Sequence, residues 1–475
     1  MTSSAAPDPS PRSGTLLDSI NHNRSSLLDA ARTGIVAYAG VWVVTFLMTG
    51  AALLAVATED DVPWSWYLTA PGQAVAMSSH GTFDYTTTVN LDDEYDDEFD
   101  NEFSEGGEEG QFSEDEEFSE DEELGIPDDA DCCDDEGELS DDDAEATPPD
   151  DVDDDVSFGG SFTSSSRLAT ISLTVLVVMI GALWVASRRA ERRRPTPSRR
   201  AVLAASAVTG TTFAVLTWAV AFAARLRIEG DFGHAGTLSI LFYGSVLGAV
   251  VSLLARRPLA RRRLVSRLPS ELTASLRGVA VYLAAFVALL VPAAAIYAIA
   301  NGESEGILTF PLAILNIAVY GLTFGQLAGV EIPGLPFGDG SGATFFWLFS
   351  DDVDGVFFVL IPLTIVALVV AIAVLARRSA GRRRTSVDSF WLVASFAGAG
   401  ALLTALSAVS TSTSMFGSGG FDVQGGISAI SLSPVPWLFL AMAGWGIIAE
   451  IAVRTIGRPL AALVPDKILD RMAGD

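Results

Sequence analysis

The chain has 475 residues, is 49% hydrophobic, and carries a formal net charge of −30 at pH 7. One soluble core does not hold that much apolar surface and that much charge together, so the two belong to different stretches. Of 59 acidic residues, 39 fall within 59–155, a stretch without Lys or Arg; the remainder of the chain holds 20 acidic against 29 basic residues. The sign of the charge in that stretch excludes nucleic-acid binding there.

Residues 1–13 are polar and rich in Pro and Ser, the composition of a tail that buries too little to fold. Leu16, Ile20, Leu27, Leu28 and Ala31 fall near helical spacing, which predicts a short amphipathic helix within a cytoplasmic tail, 1–32. Residues 33–58 carry no charge and exceed the roughly 20 residues that cross a bilayer core. Ala55-Val56-Ala57 resembles a cleavage site, but the long leader and long apolar run fit a retained signal anchor better.

Residues 59–167 are expected to form an extracellular, acidic, low-complexity loop. At its start Trp64, Trp66 and Tyr67 suit a membrane interface, and 85–90 has the composition of a short strand. The hexapeptide at 112–117 repeats at once at 118–123. Aromatic residues scattered among like charges cannot bury enough surface to offset roughly 1–2 kcal/mol of backbone entropy per residue, so disorder is expected. Cys132 and Cys133 are neighbours and cannot clip a long loop to each other; an intermolecular disulfide and an incidental pair both stay open. Diffuse cations should gather on the carboxylates, but no Asp-x-Asp-x-Asp-Gly run marks a calcium loop.

Seven further apolar runs follow, at 168–187, 201–224, 236–255, 279–300, 356–376, 391–410 and 435–453. With 33–58 they predict an all-α fold, a polytopic transmembrane bundle of about eight spans, about seven of them within 168–457 after the acidic loop. Backbone groups in lipid must be bonded internally, and no barrel-like alternation is present. The basic residues cluster in 1–32, 188–200, 256–278, 377–384 and 454–475, which together hold 26 of the 29. With eight spans all five segments share one side. The positive-inside bias makes that side cytoplasmic, so both termini, including a tail at 458–475, are expected inside a plasma membrane. Arg167, Arg225 and Arg227 remain outside. The segment 256–278, with Leu259, Leu264, Val265, Leu268 and Leu272 among its arginines, suits an interfacial helix on anionic lipid.

The run 307–330 is long enough to span, yet counting it would move Arg377 and Arg384 outside. Pro311, Asn316, Gly321, Gly325 and Gly329 interrupt it, which predicts an irregular or re-entrant segment; a crossing helped back by a stretch near 345–349 is the alternative. The spacing of Gly321, Gly325 and Gly329, repeated by Gly244 and Gly248, points to close helix packing.

Chemistry-bearing patterns are sparse. His22, His80 and His234 do not pair with each other or with Cys at metal-ligand spacing, and there is no phosphate-binding Gly-rich loop ending in Lys and Ser/Thr. Gly302-x-Ser304-x-Gly306 matches a nucleophile-elbow pattern by spacing, but it follows an apolar span rather than a strand, and Glu303 and Glu305 would oppose an oxyanion. No catalytic, cofactor-binding or metal-binding residue is therefore assigned, and no cofactor. Within the spans Glu450 is the one charge, four residues before Arg454, where an ion pair explains it more simply than proton carriage. Asn316, Tyr320 and Gln326 are the neutral polar residues that would line a cavity, or simply bond across helices.

Lys467 is the single lysine against 28 arginines, and the exposed stretch is rich in Asp and Glu. In this usage and in its span layout the whole chain resembles multi-pass membrane proteins of haloarchaea that carry no assigned activity. The resemblance implies adaptation to molar salt, where the Debye length is about 3 Å and carboxylate repulsion is screened. The expected role is that of a non-enzymatic integral membrane protein whose partners are the lipid bilayer and diffuse cations, with protein partners unknown. The alternative is a transport or permease component with a pathway near 307–330.

Overall fold

A computed structural model describes residues 24–56, 62–90, 161–196, 198–228, 231–256, 268–301, 304–332, 344–350, 355–379, 384–418 and 427–463. The chain divides into two compact units. One is Met1–Thr88 with Thr163–Phe416 and Val423–Asp475; the other is Val89–Phe162 with Gly417–Asp422, of which the strand tips alone are described. The central acidic run and Cys132 and Cys133 lie outside the described residues, as do residues 1–23, 257–267 and 464–475.

The described chain is mostly helical. In chain order it contains α1 (Arg24–Val56), α2 (Trp64–Ser78), β1 (Thr82–Asn90), β2 (Ser161–Ala169), α3 (Leu173–Arg193), α4 (Arg199–Ala223), β3 (Leu226–Ile228), β4 (Asp231–Gly233) and α5 (Ser239–Arg256). There follow α6 (Ser270–Ala300), α7 (Phe310–Gly325), β5 (Val330–Ile332), β6 (Thr344–Phe346), α8 (Leu360–Arg378), α9 (Ser386–Ser407), β7 (Val409–Ser418), β8 (Ile427–Pro434), α10 (Leu438–Thr455) and a short α11 (Gly457–Leu463). Among the described residues nine helices are long and apolar enough to cross a membrane. They include the helix over Ile307–Gly325, where the sequence predicts an irregular segment.

Local chemistry sets the helix ends. Ser172 and Ser198 cap α3 and α4 by accepting from the backbone N–H groups of Val175 and Ala201. Thr385 and Asp388 form a reciprocal capping box at the start of α9. Arginines occupy the last turns of α3, α5, α8 and α10, next to the free carbonyls and the negative end of each helix dipole. Pro311 does not interrupt a helix: it stands in the first turn of α7, where a missing N–H costs nothing.

Elements α1 to α5 and α6 to α10 run in the same order. Each half reads long helix, short helix, strand, strand, helix, helix, two-stranded hairpin, helix. Each has its own core, one between 37 and 251 around Val41, Met179 and Phe213, the other between 279 and 453 around Phe286, Leu375 and Phe396. The agreement extends to residues. Gly34-Ile-Val-Ala-Tyr38 on α1 corresponds to Gly278-Val-Ala-Val-Tyr282 on α6. Tyr38 meets Phe213 of α4 with ring centres 5.9 Å apart, and Tyr282 meets Phe396 of α9 at 5.4 Å. The last two helices of each half cross closely through glycine. A Cβ on Gly248 would lie 2.7 Å from the Cα of Gly210, and one on Gly400 2.9 Å from the Cα of Phe439. The sequence reading of close packing at Gly244 and Gly248 therefore holds, with Gly210 as the facing residue. Gly329 does not extend the Gly321–Gly325 face: it lies beyond the end of α7 at φ +88, with the carbonyl of Phe346 2.7 Å from where a Cβ would stand.

The strands were mostly unseen in the sequence. They form a six-stranded sheet in the order β1-β2-β7-β8-β5-β6 and a two-stranded β3-β4 hairpin. β7 pairs antiparallel with β8, placing Val409 opposite Leu432, and β5 lies between β8 and β6, with Val330 opposite both Pro434 and Phe346. The 85–90 strand is present and is longer than expected, as β1. Phe345 belongs to β6. Residues 64–78, expected within an acidic loop, form helix α2, which is buried at Val75 and Ala76.

The helix ends that bear arginine are tied to one another. Arg194 reaches Asp29 at 2.6 Å, the Thr209 hydroxyl donates to the Ala30 carbonyl, and Arg256 lies 3.8 Å from Glu191. The strands stand at the opposite ends of the same helices. Both ends of α7 pack there: its first turns lie against residues 171–173 at the start of α3, and Gly325 lies against Leu360 at the start of α8.

Candidate functional site

The four polar residues singled out in the sequence fall in different places. Asn316 sits where the halves meet. Its Oδ1 accepts from the Leu173 N–H at 2.9 Å, and its Nδ2 donates to the Ile171 carbonyl at 2.9 Å. Leu173 opens α3, so Asn316 supplies from another helix a partner that the first turn lacks. Two more bonds reinforce the seam: Ser172 donates to the Leu312 carbonyl, and the Leu315 N–H donates to Thr174.

Tyr320 faces the strands. Its hydroxyl lies 2.7 Å from the Ser407 carbonyl, at the end of α9, and 3.1 Å from that of Leu432 in β8. Gln326 is buried between α6 and α10, where its Nε2 meets the Tyr282 hydroxyl at 2.8 Å and the Met442 sulfur at 2.7 Å. Among the described residues its Oε1 has no partner. Asn316 and Tyr320 thus spend their hydrogen-bonding groups on the scaffold, and Gln326 spends its amide N–H groups there.

Glu450 is paired as the sequence predicts, with Arg454 at 2.8 Å. A second arginine, Arg384, lies across the bundle at 2.5 Å from its other oxygen, and Ser389 donates to the first. Arg454 in turn donates to the Thr385 carbonyl and to Ser389. The carboxylate, 8% exposed, therefore fastens the end of α10 to the start of α9.

One residue was missed. Gln73 of α2 is buried and uses its whole amide: Nε2 donates to the carbonyls of Ala221 and Ala224, and Oε1 accepts from the Ala235 N–H at 2.6 Å. It stands seven residues before His80, which has positive φ, as Tyr320 stands seven before Leu327, the other non-glycine with positive φ. The two side chains address corresponding backbone, the end of the third long helix and the hairpin that follows it. The sequence signal was a lone Gln in an apolar stretch.

Of the three arginines expected outside, Arg167 pairs with Asp84 at 2.6 Å, and Arg225 lies 5.1 Å above the Phe222 ring. The side chain of Arg227 is outside the described residues. Ser304 begins a short 3-10 helix, so its backbone is not a strand-to-helix elbow. His80 stacks on Tyr243, and His234 lies beside Phe222. Among the described residues there is no group of three or more His, Cys, Asp or Glu that could hold a metal ion.

The concave feature near these residues is apolar. A cavity of about 920 Å³ lies between the strand-bearing end of α6, α7, the start of α8, and β5, β6 and β8. Tyr320 is its one member among the four candidates; Asn316, Gln326 and Glu450 do not line it. Comparison with known proteins gives no match: no family model, curated protein or solved structure is significantly similar to this chain.

Proposed function

We propose that this chain is a non-enzymatic integral membrane protein of the plasma membrane, built from two tandem four-crossing units, that holds a carboxylate-rich segment outside the cell. In this reading α1, α3, α4, α5, α6, α8, α9 and α10 cross, both termini are cytoplasmic, and α2 and α7 are supports below the strands. The observation that carries it is the position of α7. Both its ends pack at the strand-bearing end of the bundle, which supports a helix that enters and leaves on one side. Eight crossings then keep all the arginine-bearing ends together, in agreement with the positive-inside bias. β1 and β2 flank residues 91–160, so the acidic run leaves and re-enters on the opposite, outer side. There its carboxylates gather cations at high salt.

A transport role is the second reading. Parallel repeats with a site at their interface are a known transporter design, and the duplication favours it. Against it, Asn316 at that interface and Tyr320 are engaged by backbone groups, leaving few free groups for a polar solute.

The test is labelling of intact cells with an impermeant maleimide, in a chain with Cys132 and Cys133 replaced by Ser. Cysteines introduced at Asn301 and Trp347 should label from outside, and one at Ser379 only after permeabilisation. Labelling of Trp347→Cys from the inside alone would mean that α7 crosses, and the eight-crossing reading falls. Deleting 92–155 should remove most divalent-cation binding by the purified protein while the bundle still assembles. Unchanged binding would remove the outward-display role.

A further inference from the structure

The cavity under β5, β6 and β8 is not accounted for by an acidic outward display. Its walls are Leu290, Ile317, Phe324, Phe346, Leu360 and their neighbours, and Tyr297 and Tyr320 are the lining side chains with a polar group. The Tyr320 hydroxyl already faces two backbone carbonyls. Water placed inside would lack the two to four polar partners that hold a buried water. An empty space of about 920 Å³ would leave its lining without dispersion partners. The volume falls in the range of pockets that enclose a small ligand.

The opening identifies the source of the occupant. The cavity is only partly enclosed, and its rim is apolar: Ile296 is 67% exposed on α6, and Val359 is 50% exposed just before α8. The rim continues along the same two helices into Ile299, Ile365 and Val366, which also face outward. Among the described residues no polar side chain lies between the cavity lining and that surface on α6 and α8. Phe345, Trp347 and Phe349 stand exposed beside it, the residue type that settles at the membrane–water boundary.

We infer that this cavity holds one hydrocarbon chain of an outer-leaflet membrane lipid, which enters sideways between α6 and α8 and is covered by the β5–β6–β8 strands. The inference rests on the membrane-spanning reading given above. The chain fills a space that neither water nor side chains occupy, and it packs α7 from below the sheet. Gly321 widens the floor, since a Cβ there would already touch Leu290 and Leu360 at 3.5 Å.

The full chain would be reconstituted in phosphatidylglycerol vesicles doped with a phosphatidylglycerol whose acyl chain carries a diazirine, irradiated, and mapped by mass spectrometry. Adducts should concentrate on the lining segments of α6, α7 and α8 over lipid-facing Ile451 of α10. Ala293→Trp, which fills the cavity from its wall, should lower them about tenfold, the effect of displacing roughly two methylene groups. Ile451→Trp should leave them unchanged. Ala294→Phe serves the same purpose if Ala293→Trp does not fold. Labelling spread evenly over all lipid-facing helices would overturn the inference and leave the membrane reading standing. Enrichment that survives both filling variants would also overturn it. Absence of labelling everywhere, Ile451 included, would mean that the chain had not inserted, and both readings would fall.

Discussion

In the first half a glutamine amide, Gln73, binds three backbone groups beneath the strands; in the second a phenol, Tyr320, addresses the corresponding backbone with one proton. The same positions in the fold are met by different chemistry. The arginine-bearing ends differ as well. Glu450 grips two arginines across α9 and α10, whereas in the first half Arg256 lies 3.8 Å from Glu191 and leans on Ser252 and Thr209 instead. The lesson is that the repeated feature is a demand of the backbone. Free carbonyls at a helix end and a strand beginning beside them need a partner, and any side chain of adequate reach satisfies it.

The largest effect is expected where the halves agree, at the glycine crossings. Gly248→Leu should cost about 3 kcal/mol or more, because its Cβ meets the backbone of Gly210 and no rotamer relieves that. Loss of monodisperse protein in detergent would show it. A tolerated Gly248→Leu would mean that α4 and α5 are not so close. Glu450→Gln comes next. It leaves Arg384, 12% exposed, without its counter-charge, a loss of about 3 kcal/mol, while the looser Glu191→Gln should cost about 1 kcal/mol. Equal shifts in thermal midpoint would erase the distinction between the arginine-bearing ends.

Gln73→Leu orphans a buried N–H and two carbonyls and should cost about 2–3 kcal/mol; Tyr320→Phe removes one hydroxyl and should cost about 1 kcal/mol. Denaturant unfolding of the two variants ranks them, and the reverse order would contradict the hydrogen bonding described. The smallest contrast concerns the paired tyrosines. The Tyr38 hydroxyl is buried without a partner among the described residues, while that of Tyr282 meets Gln326. Tyr38→Phe should therefore be neutral or slightly stabilising, and Tyr282→Phe should cost about 1 kcal/mol. A destabilising Tyr38→Phe would show that this hydroxyl is in use.

Much of the architecture was legible. Apolar runs marked helices long enough to cross a membrane, and clustered arginines marked one set of their ends. The Glu450–Arg454 pair was legible because four residues make one helical turn, whereas Arg384 was not, being 66 residues away. The strand at Val409 was missed because Ser and Thr alternate there with no apolar face to give a period of two. The duplication was missed because the halves share a few contact residues, such as Gly34 and Tyr38 with Gly278 and Tyr282, and little else.

The amino-acid sequence by itself determined where helices of membrane-crossing length lie, which of their ends carry arginine, and that two thirds of the acidic residues, 39 of 59, lie in one stretch. These follow from composition over a window, and composition is local. Only the tertiary structure decided that both ends of α7 pack at the strand-bearing end, that Asn316, Tyr320 and Gln73 bond to backbone groups, and that the two halves repeat one order of elements. Each of these depends on which distant backbone group meets a side chain. A run of hydrophobic residues does not encode that, because lipid and protein neighbours are equally apolar to it.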